Sequence, residues 1–254
     1  PNPAEILGSE PMADFLKEAL QLEEQVVAWR RHIHQNAEIG CELPKTATYV
    51  ESVLDSLEIQ HRRFFGCGVA AWIGEGERTV MLRADMDALP GNETSGLPYA
   101  CSTGAVHACG HDIHTSMLLG AAKLLQAHRN ELHGRVVLMF QPGEECLSGA
   151  LGMVQDGLLD CFRPQLALAM HVNVADVPRG QVWIKQGVFN AASDIFEVMV
   201  TGRRGHGAHP QNAVNPIYAA LHLIAAFTEI SRYEVAPMQP NILTVCAIEA
   251  GDVG

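Results

Sequence analysis

Apolar residues recur at helical spacing from Met12 to about His34 (Phe15, Leu16, Ala19, Leu22, Val26, Val27, Ile33) with acids and bases between them, which predicts a surface helix. "PKTATYVESVLDSLEI" predicts a second helix, with Pro44 near its first turn and an end at about Ile59. The pattern then shortens. "VAAWI" (69–73) and "RTVMLRADM" (78–86) are brief, β-branched and apolar, so they predict two strands joined by a tight turn at "GEGE". A loop rich in Gly and Pro leads into "HTSMLLGAAKLLQAHRN", a helix from about His111 to Asn130. "GRVVLMFQP" follows as a continuous apolar run of strand length, "LSGALGMVQDGLL" as a helix, and "PQLALAMHV" as another buried strand. This alternation predicts an α/β fold, a mostly parallel sheet with helices on both faces.

Beyond Pro178 the texture changes. "SDIFEVMVTGR" (193–203) alternates as a half-exposed strand would, "NPIYAALHLIAAFTEISRY" is helical, and "NILTVCAIEAGD" alternates again. The expectation is a second, smaller α+β module with the boundary near residue 190, so one unit over 1–190 and a second over 191–254. The turn-rich opening "PNPAEILGSEP" is given no function.

Composition narrows the function classes. The chain has 254 residues, 48% of them hydrophobic, enough for a sizeable core. Its net charge of -12 with 17 Lys+Arg argues against tracking nucleic-acid phosphates. No apolar run reaches membrane-spanning length and the first thirty residues lack a signal-peptide core, so a cytoplasmic protein with no membrane partner is expected. Seven scattered cysteines, an odd number, point to reduced thiols rather than a disulfide framework.

Ligands of an open parallel sheet gather outside the carboxyl ends of its strands, and there this sequence is rich in metal-capable groups. Asp85 and Asp87 follow one predicted strand, Glu144 and Glu145 the next, and His171 the third, while Cys109 and His111 open the helix beside them. Helix-start N–H groups are expected to favour a Cys109 thiolate. His111 and His114, three apart on one helix face, are both candidate ligands. Each residue also has an ordinary reading, as a turn cap, a packed imidazole or an inert thiol, but four such places converge on one rim. Carboxylate, imidazole and thiolate together suit a borderline metal such as Zn or Mn better than Ca or Mg. The Glu144–Glu145 doublet offers one ligand and one general base.

"RADMDALP", "HACGHDIH", "FQPGEE", the "MHV" strand end and "GRRGHGAHP" stand in an order and spacing that resembles the metal-dependent amidohydrolases, which include aminoacylases, hippurate hydrolases and auxin-conjugate hydrolases. The likeness covers about residues 25–254. It implies a zinc-peptidase-like catalytic domain over 1–190 with a lid and dimerisation domain over 191–254, hydrolysis of the amide bond of N-acyl amino acids, and two divalent ions, Zn or Mn first with Co or Ni as further candidates. It further implies Cys109, His111, Glu145 and His171 as metal ligands, Glu144 as general base and Asp87 in a supporting catalytic role. His206 would hold the substrate carbonyl or carboxylate, often across the interface of a homodimer formed through the lid. The sequence departs from the family pattern at "PGEEC", where Cys146 replaces the usual Gly, and at Gly91 and Asn215. Relatives also run on from the lid to complete the sheet and supply a last histidine ligand, whereas this sequence stops at Gly254, so an open coordination position is expected. Two alternatives follow: a non-catalytic chain that dimerises through the lid, and a related dipeptidase or desuccinylase, which the thiol at Cys109 disfavours.

Overall fold

The computed structural model describes residues 14–173, 178, 180–188, 193–236, 239 and 241–251. The opening segment, and the predicted domain boundary near residue 190, lie outside the described residues. The chain divides into two compact units, Pro1–Val177 and Pro178–Gly254.

In the first unit the predicted first helix is two helices, α1 (Phe15–Gln21) and α2 (Glu23–Gln35), which meet at Leu22; residues 12 and 13 of that prediction lie outside the described residues. α3 (Pro44–Ser56) begins on its proline. Five strands form one sheet: β1 (Gln60–Phe64), β2 (Gly68–Gly74), β3 (Thr79–Asp85), β6 (Arg135–Gln141) and β7 (Leu166–Ala169), in the order β1-β2-β6-β3-β7. Two short strands, β4 (Leu89–Pro90) and β5 (Ala105–Val106), pair separately. β3, β6 and β7 are parallel, and β1 and β2 join them antiparallel, so the sheet is mixed.

Three expectations change here. β2 and β3 do not form a hairpin, because β6 lies between them and pairs with both. Its run "VVLMF" is apolar on both faces, and the sheet centre is where both faces are covered. β1, with the sequence "QHRRF", was missed because a polar edge strand carries no hydrophobic pattern; it is exposed at all but its last and second positions. β7 forms a strand but is not buried: all four residues are exposed at the sheet edge.

Alternation along the central strands explains the two-sided core. Val69, Ala71, Ile73, Leu138 and Phe140 face one way and pack with Trp29, Val50, Leu54, Leu118 and Leu119 of α2, α3 and α4 (His111–Ala127). Ala70, Val137 and Met139 face the other way and pack with Met153, Leu158 and Phe162 of α5 (Gly149–Gln155) and α6 (Leu158–Phe162). The sequence reads as one helix across α5 and α6; Gly157, at φ +89°, separates them.

In the second unit, α7 (Pro216–Glu229) has proline in its first turn, and the Asn215 carboxamide oxygen accepts from the Ile217 N–H at 2.9 Å, an N-cap. A π-helical turn, Ile230–Glu234, continues it. The two alternating segments do not form β-ladders among the described residues; one antiparallel bridge joins Arg203 and Val214. Period-2 alternation marks which side of a strand is wet, but a ladder also needs a neighbouring strand to accept its hydrogen bonds. No helix among the described residues is long and apolar enough to cross a membrane.

Candidate metal centre

The parallel topology delivers the carboxyl ends of β3 and β6 to one rim, where Asp85 pairs in register with Gln141. The helix start beside them depends on Gly110. Its φ is +82°, and a Cβ there would lie 2.5 Å from a Val172 methyl, so only glycine lets α4 begin this close to the chain leaving β7.

Two groups grow from this helix start. In the first, His114 and Asp85 are both almost fully buried and joined by a 2.6 Å bond from Nδ1 to Oδ1. The other nitrogen of His114, Nε2, accepts from the Val172 N–H at 2.9 Å, which fixes the ring as the neutral Nδ1–H tautomer. Arg83 approaches the second Asp85 oxygen to 2.7 Å, and the Asp85 backbone carbonyl accepts from the Thr115 hydroxyl. Burial pushes the Asp85 carboxyl up, but the His114 hydrogen bond and the Arg83 and His111 charges outweigh it and hold the group at about 2. Every ring nitrogen of His114 is therefore committed.

The second group is the opposite. His111 Nδ1 lies 2.9 Å from the Asp87 backbone carbonyl and donates to it, so in the neutral ring Nε2 carries the lone pair; Nε2 is buried and has no hydrogen-bond partner. It faces Glu145 Oε1 at 3.8 Å, itself buried without a partner, and Glu144 Oε2 at 3.9 Å. Candidate ligand atoms of Cys109, His111 and Glu145 all lie within 4.8 Å of one another, and the same holds for His111, His114 and His171 and for Asp85, His111 and Glu144. His111 is common to all three sets. The His171 ring centroid is 6.0 Å from that of His111, placing His171 beside it on the exposed side.

Asp87 works on the backbone. Its two carboxylate oxygens accept from the Glu144 and Glu145 N–H groups, each at 3.0 Å, and so hang the acidic segment from the end of β3. Glu144 is the more open of the doublet, its side chain 37% exposed against 22% for Glu145.

In the metal-free chain the thiol is protonated, contrary to the helix-start expectation. Burial, then the adjoining Glu145, Glu144 and Asp85 carboxylates, push Cys109 up to about 12, overriding the helix start. A divalent cation among these groups would reverse that sign and deprotonate the sulfur. Orphaned buried lone pairs and a thiol surrounded by carboxylates therefore fit a soft-to-borderline cation. Burial pulls His111 down, but the Asp87 hydrogen bond and the Asp85, Asp87 and Glu145 charges together outweigh it and raise the group.

Sequence reasoning missed a supporting network. Asp112, fully buried in the first turn of α4, forms an ion pair with Arg30, whose Nε lies 2.6 Å away, and accepts from His34 Nδ1 at 2.8 Å; His34 Nε2 meets Glu93 at 3.0 Å. It ties α2 and the 91–104 loop to the helix that carries His111. An acid inside "GHDIH" was the available signal, since an Asp in a helix's first turn is ordinary unless it is buried. His107 lies nearby, buried, and burial lowers it to about 4. His206 belongs to the second unit, where its Nδ1 accepts from the Ala208 N–H at 3.1 Å.

With this geometry in place, the likeness to known proteins is specific. The profile of peptidase family M20/M25/M40 matches residues 81–247. The chain is 42% identical to an N-acetyl-L-cysteine deacetylase of Bacillus subtilis over 91% of its own length and 56% of the relative's. It is 39% identical to an IAA-amino acid hydrolase of Arabidopsis thaliana (89% and 52%) and 36% identical to a hippurate hydrolase of Campylobacter jejuni (94% and 62%). The chain thus spans between half and two thirds of these relatives. Among solved structures, a dinuclear metal binding peptidase of the M20 family from Bacillus subtilis superposes with a TM-score of 0.63 at 34% identity, over 66% of this chain and 48% of the other.

Proposed function

Because the chain belongs to peptidase family M20/M25/M40, we propose that it is the metal-binding part of an amidohydrolase that cleaves the amide bond of N-acyl amino acids, releasing a carboxylic acid and a free amino acid. One observation carries this reading: the buried, unpartnered His111 Nε2 faces an equally unpartnered Glu145 oxygen, with the Cys109 thiol in the same small group. The relatives named above act on acylated amino acids by their names, which supports the substrate class.

In this reading Cys109, His111, Glu145 and His171 hold two divalent ions, Zn or Mn in preference to Co or Ni. When bound, such ions acidify a water and polarise a carbonyl oxygen. Glu144, the more open carboxylate, takes the proton of the attacking water and returns it to the departing amine. Asp87 keeps Glu144 and Glu145 in place through their backbone N–H groups and holds the tautomer of His111 through its own carbonyl. His206 steadies the substrate carbonyl or carboxylate. The reading includes a homodimer through the second unit, supported by the exposed Tyr218 and Leu221 of α7. It also includes the cytoplasm, supported by cysteines that are all free among the described residues.

The test is an assay of the purified chain on N-acetyl-methionine, N-acetyl-cysteine and hippurate alongside metal analysis. Hydrolysis that a chelator abolishes and Zn or Mn restores is expected. A chain that binds two ions yet cleaves none of the three would overturn the reading in favour of a non-catalytic module.

A further inference from the structure

Cys41 and Cys146 are 105 residues apart in the chain, yet their sulfurs lie 3.7 Å from each other. The Ser148 hydroxyl sits between them, 3.3 Å from Cys41 and 3.0 Å from Cys146. The contact is anchored by backbone. The Gly143 N–H donates to the Gly40 carbonyl at 2.9 Å, tying together the two loops that carry the thiols. Gly143 has φ +58°, and a Cβ there would lie 2.4 Å from the Cys41 sulfur and 3.1 Å from that of Cys146, so only a bare Cα leaves room for the pair. Cys146 is exposed and Cys41 half-buried. Cys146 also directly follows Glu145, in the segment suspended from Asp87.

We propose that Cys41 and Cys146 are a reversible dithiol–disulfide pair that sets the position of the acidic segment 144–145, with a low-molecular-weight disulfide as the oxidant. The exposed Cys146, as thiolate, attacks one sulfur of the small disulfide; that S–S bond breaks, a mixed disulfide forms on Cys146, and the first small thiol leaves with a proton. Cys41 then loses its proton and attacks the Cys146 sulfur, forming the Cys41–Cys146 bond and expelling the second small thiol. Two protein thiols are oxidised and one small disulfide is reduced to two thiols. A sulfur–sulfur bond is about 2.05 Å long, so closure brings the two sulfurs more than an ångström nearer and pulls on the loop that carries Cys146. A misplacement of about 1 Å at reacting groups costs about a hundredfold in rate. The effect on turnover rests on the function proposed above; formation of the bond does not.

The metal-loaded full chain is treated with glutathione disulfide, peptide-mapped, and assayed on an N-acyl amino acid. The expected result is a joined peptide containing Cys41 and Cys146, a loss of hydrolysis of about tenfold or more, and reversal of both by dithiothreitol. Cys41→Ser should instead trap glutathione on Cys146, and Cys146→Ser should form no cross-link and keep its activity under oxidation. Absence of the joined peptide in the parent chain overturns the pair, and a joined peptide with undiminished hydrolysis overturns its control of the segment. If the chain hydrolyses no N-acyl amino acid even when reduced, the functional reading fails while the peptide map still decides whether the pair forms.

Discussion

Two groups that each set an imidazole against a carboxylate stand a few ångströms apart at the start of α4, and they differ in character. In the Asp85–His114 pair both imidazole nitrogens are hydrogen-bonded, to Asp85 Oδ1 and to the Val172 N–H, and the remaining Asp85 oxygen, without a hydrogen bond, is neutralised by the Arg83 guanidinium at 2.7 Å. In the Cys109–His111–Glu145 group, buried lone pairs face one another with nothing between them. Buried polar groups are ordinarily satisfied, so composition does not separate a structural knot from a ligand set; leftover hydrogen-bonding capacity does. His111 and His114 are three residues apart on one helix, and only the orientation of the second nitrogen distinguishes them.

Substitutions that act on one group and spare the other sharpen the contrast. The largest effect is expected from Glu144→Gln, which should lower kcat by roughly a hundred- to ten-thousandfold while metal content stays constant; full activity in that variant would remove Glu144 as the base. Cys109→Ser should weaken metal binding by about a hundredfold, read by competition with a chromogenic chelator, and an unchanged affinity would place the thiol outside the ligand set. Asp87→Asn replaces one of two acceptor oxygens with an amide donor facing a backbone N–H, so a loss of about tenfold in metal affinity is expected.

The knot should answer differently. His114→Ala leaves the buried Asp85 without its imidazole and should cost about 3 kcal/mol of stability in thermal or urea unfolding, with metal stoichiometry unchanged; loss of an ion in that variant would erase the distinction drawn here. The smallest effect is a pH dependence of the metal-free chain. The folded Asp85 carboxyl titrates at about 2, below its ordinary 3.8. A depressed carboxyl contributes stability that is present above its unfolded value and is lost as pH falls through the folded one. The contribution is roughly 2 kcal/mol, fading between about pH 4 and 2. Asp85→Asn should flatten that acid limb, and an unaltered limb would refute the assignment.

Much of the first unit could be read from the chain itself. The α3 and α4 helices, the central β2, β3 and β6, and the convergence of acids and imidazoles after strand ends all follow from local periodicity and from the rule that parallel strands deliver their carboxyl ends to one rim. What periodicity missed were the features set by neighbours. β1 is polar and is a strand only because β2 pairs with it, and β6 separates β2 from β3. β7, apolar in sequence, lies exposed at the edge. The alternating segments of the second unit found no ladder among the described residues.

At the site the division is the same. The sequence alone determined which residue types reach the rim, because a short motif fixes their spacing along one helix start or one loop. It did not determine the state of the Cys109 thiol in the metal-free chain: besides burial, the groups that raise it come from a strand end and a loop 24 and more residues away. Nor did it determine which nitrogen of which histidine is free, that Asp112 is buried against Arg30 and His34, or that Cys41 meets Cys146. Protonation, tautomer and thiol pairing depend on distances of a few ångströms between distant parts of the chain, and only the folded arrangement sets those distances.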